Sequence, residues 1–154
     1  MKYQFFVILG LLGILNGAQA SEFKLRSNLK IEVINSVLGE IENEIPLKLK
    51  QVINREVKIK FQNLNSTPIL KIDDNCTDHI ILGRDTNNLS NNQIEVDNVF
   101  INELDNPNRP INCAHKTIRN YFKATIVHEL AHLFDQELKI SSQPLFFKYH
   151  RMDR

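Results

Sequence analysis

The residues best suited to chemistry sit in one run, Thr125-Ile126-Val127-His128-Glu129-Leu130-Ala131-His132-Leu133-Phe134-Asp135. It contains His-Glu-x-x-His. On a helix, side chains four apart stand on one face, one turn above each other. His128 and His132 can therefore offer two imidazole nitrogens to a single metal ion. Glu129 is turned about 100° from His128, so it is poorly placed as a ligand but can reach a water beside the metal. That combination is the apparatus of zinc-dependent hydrolysis: two His ligands, Zn²⁺ as Lewis acid, and Glu129 as general base.

Such a pair works only if one rigid element carries it. The pattern from Lys116 to Leu138 holds no Gly or Pro, and Ile118, Phe122, Ile126, Val127, Leu130, Leu133, Phe134 and Leu138 cover most sides of its middle. The spacing predicts a long, mostly buried central helix, able to hold the ligands fixed.

At this point the chain resembles the zincin metallopeptidases, through His128-Glu129-Leu130-Ala131-His132. The continuation to Asp135 is similar to zincins of the anthrax lethal factor type, in which an Asp follows the second His by three residues. The resemblance implies that Asp135 hydrogen-bonds the distal nitrogen of a ligating His and fixes its tautomer. The metzincin pattern is not met, because it wants Gly and His where this chain has Asp135 and Leu138. The resemblance further implies an edge strand that flanks the cleft and pairs with an extended peptide. By order along the chain, Ile94 to Val96 is the candidate. The implied substrate is a peptide or protein.

A catalytic zinc takes a third protein ligand. Past His132, Glu137 lies on the same helix, turned away from the His face. His150 and Asp153 are the remaining candidates, and the chain must double back for either to reach the metal. Tyr149 and His150 are the candidates for stabilising an oxyanion. Phe146, Phe147 and Tyr149 form an apolar cluster near the end, which suggests the front part of a longer catalytic domain. The alternative function is then a catalytically incomplete, zincin-like fragment or pseudoenzyme that binds an envelope partner. His79 and His115 read as surface or loop histidines.

Residues 1–20 read as a signal peptide: Lys2, an apolar run from Phe5 to Leu15, then Ala18-Gln19-Ala20 as a cleavage site. The remaining residues, 21–154, have the length of one domain. The apolar run is short for a membrane span, so no stable anchor is expected after cleavage. Without Lys2, the basic residues number 18, equal to the 18 acidic ones. With no basic, aromatic-interleaved run in the sequence, nucleic acid is not an expected partner. The Asn-, Lys- and Ile-rich composition points to a bacterial chain and hence to the periplasm or cell exterior. There, Cys76 and Cys113, the only two cysteines, are expected to pair.

The other elements follow from periodicity. Glu22 to Ile45 reads as an amphipathic helix, broken by Pro46, and Leu47 to Asn54 as a second helix. Val57 to Phe61 alternates like a half-buried strand. Ile80 to Leu82 reads as an inner strand ended by Gly83. Ile94 to Val96 and Val99 to Ile101 read as further strands. The expected class is α+β, with helices and a small twisted sheet packed on the central motif helix.

Overall fold

A computed structural model describes residues 23–76, 82–85 and 92–139. The elements run β1 (Lys24–Ser27), α1 (Glu32–Glu44), α2 (Leu47–Ile53), β2 (Glu56–Gln62), β3 (Gly83–Asp85), β4 (Gln93–Asp97), α3 (Val99–Glu103) and α4 (Ile118–Leu138). The class is α+β, as expected. The strands form one mixed sheet in the order β1-β2-β4-β3. β1 and β4 lie parallel to β2, and β3 is antiparallel to β4.

Alternation along the strands gives the sheet one apolar face. Leu25, Val57, Ile59, Ile94 and Val96 are buried there, together with Ile34, Val37, Leu38 and Ile41 of α1. α4 completes the layer with Ile118, Phe122, Ile126, Leu130, Leu133 and Phe134. Phe122 stands between Phe61 and Phe100, at ring distances of 6.1 and 5.2 Å. Ion pairs fasten α4 to its neighbours: Arg119 to Glu40, Lys123 to Glu44, and Arg55, beside β2, to Glu137.

Several local expectations are corrected. The helix read over Glu22 to Ile45 is instead a strand followed by a shorter helix. Lys24–Ser27 pairs residue for residue with Glu56 to Ile59, and that pairing outweighs the helical spacing of the apolar residues. The strand read at Val99 to Ile101 is the short helix α3, because Asp97 Oδ1 accepts from the Val99 N–H at 2.9 Å and turns the chain. The inner strand expected at Ile80 to Leu82 falls largely outside the described residues; the strand seen there is Gly83–Asp85, and among the described strands it lies at the edge of the sheet. Conversely, Ile94 to Val96 is not the edge: β4 lies between β2 and β3. Residues 1–20, His79, Ile80, Ile81, Tyr149, His150 and Asp153 lie outside the described residues. No described helix is long and apolar enough to cross a membrane.

Cys76 and Cys113 form a disulfide, with Cα atoms 5.9 Å apart. It ties the long loop after β2 to the segment that leads into α4. Arg109 braces the same junction. Its guanidinium donates to Glu103 at 2.9 Å and to the Ile72 carbonyl at 3.0 Å, and pairs with Asp74. Glu103 in turn accepts from the Ile72 N–H.

Candidate metal centre

α4 starts where Thr117 caps it, its side chain accepting from the Asn120 N–H. With 21 residues, it spans about 31 Å. Its core-facing stripe leaves an opposite stripe, Val127, His128, Ala131 and His132, exposed. The histidines are therefore held by a buried helix yet remain open to solvent, as an exchangeable metal requires.

Their rings converge. Nε2 of His128 lies 3.1 Å from Nε2 of His132, with the ring planes at 85°. Two nitrogens on one tetrahedral Zn²⁺, each at ~2.05 Å, stand about 3.3 Å apart, so the donor pair fits that ion. The same separation suits a single N–H···N bond between neutral rings, and metal binding distinguishes the two. Among the described residues no group of three His, Cys, Asp or Glu side chains converges on one point.

Glu129 occupies the flank of the helix that meets the sheet, and it is 7% exposed. Its position depends on Gly83. A Cβ at residue 83 would stand 3.0 Å from both Cγ and Oε1 of Glu129, and 2.7 Å from Cγ2 of Thr125. The edge strand thus lies directly against the helix, and only a residue without a side chain allows it. Gly83 was not among the expected site residues. An isolated glycine at a strand is nonetheless a signal of close backbone approach.

The geometry of β3 also fixes which backbone groups face outward. The Asp97 N–H donates to the Leu82 carbonyl at 3.0 Å, and the register pairs Gly83 with Val96 and Arg84 with Glu95. In an antiparallel pair, hydrogen-bonded and non-hydrogen-bonded positions alternate. Residues 82 and 84 therefore turn their N–H and C=O groups to β4, while 83 and 85 turn theirs to the side away from β4, where no described strand lies.

Of the other expected residues, Asp135 is half-buried one turn beyond His132, and its carbonyl accepts the helix-ending bond from Lys139. Glu137 points elsewhere, into the ion pair with Arg55. His115 stacks on Tyr121 at 4.8 Å, which gives it a structural role in the turn before α4.

No curated protein and no solved structure matches the chain. A family model does match residues 22–148, and the chain belongs to that family, a domain of unknown function (DUF7844).

Proposed function

We propose that the protein is an exported, zinc-dependent peptidase of zincin type. The observation that carries this reading is the convergence of two exposed imidazole nitrogens at 3.1 Å, with Glu129 held alongside them on the next flank of α4. His128 and His132 would hold the ion, with a third ligand from outside the described residues; His150 and Asp153 remain the candidates. When bound, Zn²⁺ supplies Lewis acidity towards a carbonyl oxygen and lowers the pKa of a nearby water. Glu129 takes the proton from the attacking water at a carboxylate oxygen and delivers it to the departing amine nitrogen. Asp135 orients a ligating ring through its distal N–H. The open side of β3 aligns an extended peptide through the backbone groups of Gly83 and Asp85, which makes recognition tolerant of sequence. The leader at residues 1–20 and the Cys76–Cys113 disulfide support export to the periplasm or cell exterior.

A second reading is a zincin-like binding module without catalysis. It is favoured by one observation, that two rather than three ligands converge among the described residues. Metal analysis and a peptide-library assay separate the two. The peptidase reading expects zinc bound by the wild type, lost in His128→Ala and His132→Ala, and retained in Glu129→Gln, which no longer cleaves. Equal cleavage by wild type and Glu129→Gln would refute Glu129 as base. Zinc binding without cleavage in the wild type would favour the module.

A further inference from the structure

The face of the sheet turned away from α4 carries a groove of about 350 Å³, within the usual range of small-ligand sites. Alternation places Arg26 of β1 and Lys58 and Lys60 of β2 on this face, all exposed. Ser27 and Asn28 close one end, and Gln93 of β4 lines the far wall. Arg26 and Lys58 are direct neighbours across the strands, and Gln93 follows Lys58 in the same row. Lys60 is two residues on.

The charges on this face do not balance. Glu95 is already held by Arg84 at 2.5 Å and by Gln93 at 3.2 Å. Glu56, the acid in the groove, stands opposite Lys24. Arg26, Lys58 and Lys60 make no ion pair with any described residue. Like charges directly opposite each other destabilise a sheet, so the Arg26–Lys58 pair costs folding stability unless something negative sits on it. Even counting Glu56, the groove keeps a net charge of +2.

We propose that this groove binds a phosphate-type dianion, a phosphomonoester. Adjacent strands are ~4.8 Å apart and alternate residues along a strand ~6.6 Å. Three flexible cationic heads rooted at that spacing can converge on one tetrahedral group. Arg26 offers a planar fork for two oxygens, and Lys58 and Lys60 offer point charges. Asn28 and Gln93 add neutral donors. A dianion matches the excess charge, whereas a phosphodiester would neutralise half of it. Among the described residues no aromatic side chain lines the groove, which counts against stacking of single-stranded nucleic acid. The site does not depend on the metal chemistry of the opposite face.

The test is calorimetric titration of the full chain with inorganic phosphate and with glycerol phosphate, against chloride at matched ionic strength. Co-sedimentation with phosphatidylcholine vesicles containing phosphatidic acid runs alongside, with polyglutamate as a competing polyanion. Binding should weaken roughly tenfold in Lys58→Gln and in Arg26→Gln, as expected for lost charge-assisted bonds. In phosphate-free buffer the Tm of either variant should equal or exceed that of wild type, because like-charge repulsion is removed. Binding of the free anions identifies a soluble ligand; binding of the vesicles alone identifies a lipid headgroup; both support the site. Failure of all phosphate probes would overturn it. So would affinity unchanged in both variants, or polyglutamate binding in place of phosphate.

Discussion

Gly83→Ala is the most informative single change, because it tests the packing that positions Glu129. The added Cβ would meet Thr125 Cγ2 at 2.7 Å and Glu129 Cγ and Oε1 at 3.0 Å. Carbon atoms in contact prefer ~3.5–4.0 Å, so the helix side must yield by about 0.8 Å at Thr125. Thr125 resists. It is 9% exposed, and its hydroxyl donates to the Tyr121 carbonyl at 3.0 Å, which locks a stiff β-branched rotamer. Overpacking of this kind costs ~1–3 kcal/mol. The backbone itself is not strained, since no described glycine has positive φ. The alanine therefore also restricts the unfolded chain, which offsets ~0.4–1 kcal/mol. The net expectation is a loss of about 1–2 kcal/mol, read as a Tm lower by roughly 2–8 °C. Thr125→Ser deletes the offending methyl and keeps the hydroxyl, so Gly83→Ala/Thr125→Ser should recover part of the loss, with a coupling energy of ~1 kcal/mol. The contact with Glu129 persists in the double variant. On the peptidase reading, kcat/KM stays down by ~10–100-fold while zinc affinity is unchanged. A Gly83→Ala protein as stable as wild type, or strictly additive variants, would refute this account of the helix–strand contact.

Replacing Cys76 and Cys113 together by Ser opens a loop with a sequence separation of 37; chain entropy predicts a loss of ~4 kcal/mol in urea unfolding, and a loss below ~1 would show that the loop is held by other contacts. Arg109→Met leaves Glu103, whose side chain is 9% exposed, without its cation; the expected cost is about 3 kcal/mol, with partial recovery in Arg109→Lys. The hydrogen bond from Arg119, with help from Lys123, holds the Glu40 carboxyl below its ordinary value of 4.5. Its stabilisation is thus present above that value and is lost as pH falls through the lowered one. Since Glu40 is 41% exposed, the contribution stays under ~1 kcal/mol. The difference in stability between wild type and Glu40→Gln, followed from pH 7 to about 3, should shrink only at the acid end.

The motif helix was legible because everything that defines it is local. A run without Gly or Pro, apolar residues around most of its middle and a four-residue His spacing are all intrinsic to one element, and Thr117 to Leu138 adopts it. The sheet was not legible in the same way. Lys24–Ser27 is too short to announce itself as a strand and becomes one only by pairing with β2, some thirty residues away. The order β1-β2-β4-β3 reverses the last two strands relative to the chain, so ranking by sequence assigned the edge to β4 instead of β3. Val99 to Ile101 has strand-like composition, but the Asp97 side chain, accepting from the Val99 N–H, acts on it from outside the run. Arg109 drew no notice because two of its three partners, Asp74 and Ile72, lie in a loop 35 and 37 residues earlier, although Glu103 is only six away.

The same distinction explains why charge counting overlooked the cationic groove. From residue 21 onward, eighteen basic against eighteen acidic residues average to nothing, and the basic residues of β1 and β2 never fall in one run. Once β1 is a strand, the two-residue period of both strands turns every second side chain to one face. Two unremarkable segments, Lys-Leu-Arg-Ser and Glu-Val-Lys-Ile-Lys, then place Arg26 against Lys58. The helical reading of Lys24 to Ser27 dispersed those charges around a cylinder and removed the juxtaposition. The apolar face of this sheet is committed to holding α4, and through Gly83 to holding Glu129. At β1 and β2 the opposite face leaves Arg26, Lys58 and Lys60 exposed among the described residues, so packing between those residues does not account for a like-charge neighbour pair there. Selection for stability alone would favour replacing Lys58 by a neutral β-branched residue, and the rise in Tm expected for Lys58→Gln in the absence of phosphate measures how far the sequence departs from that optimum.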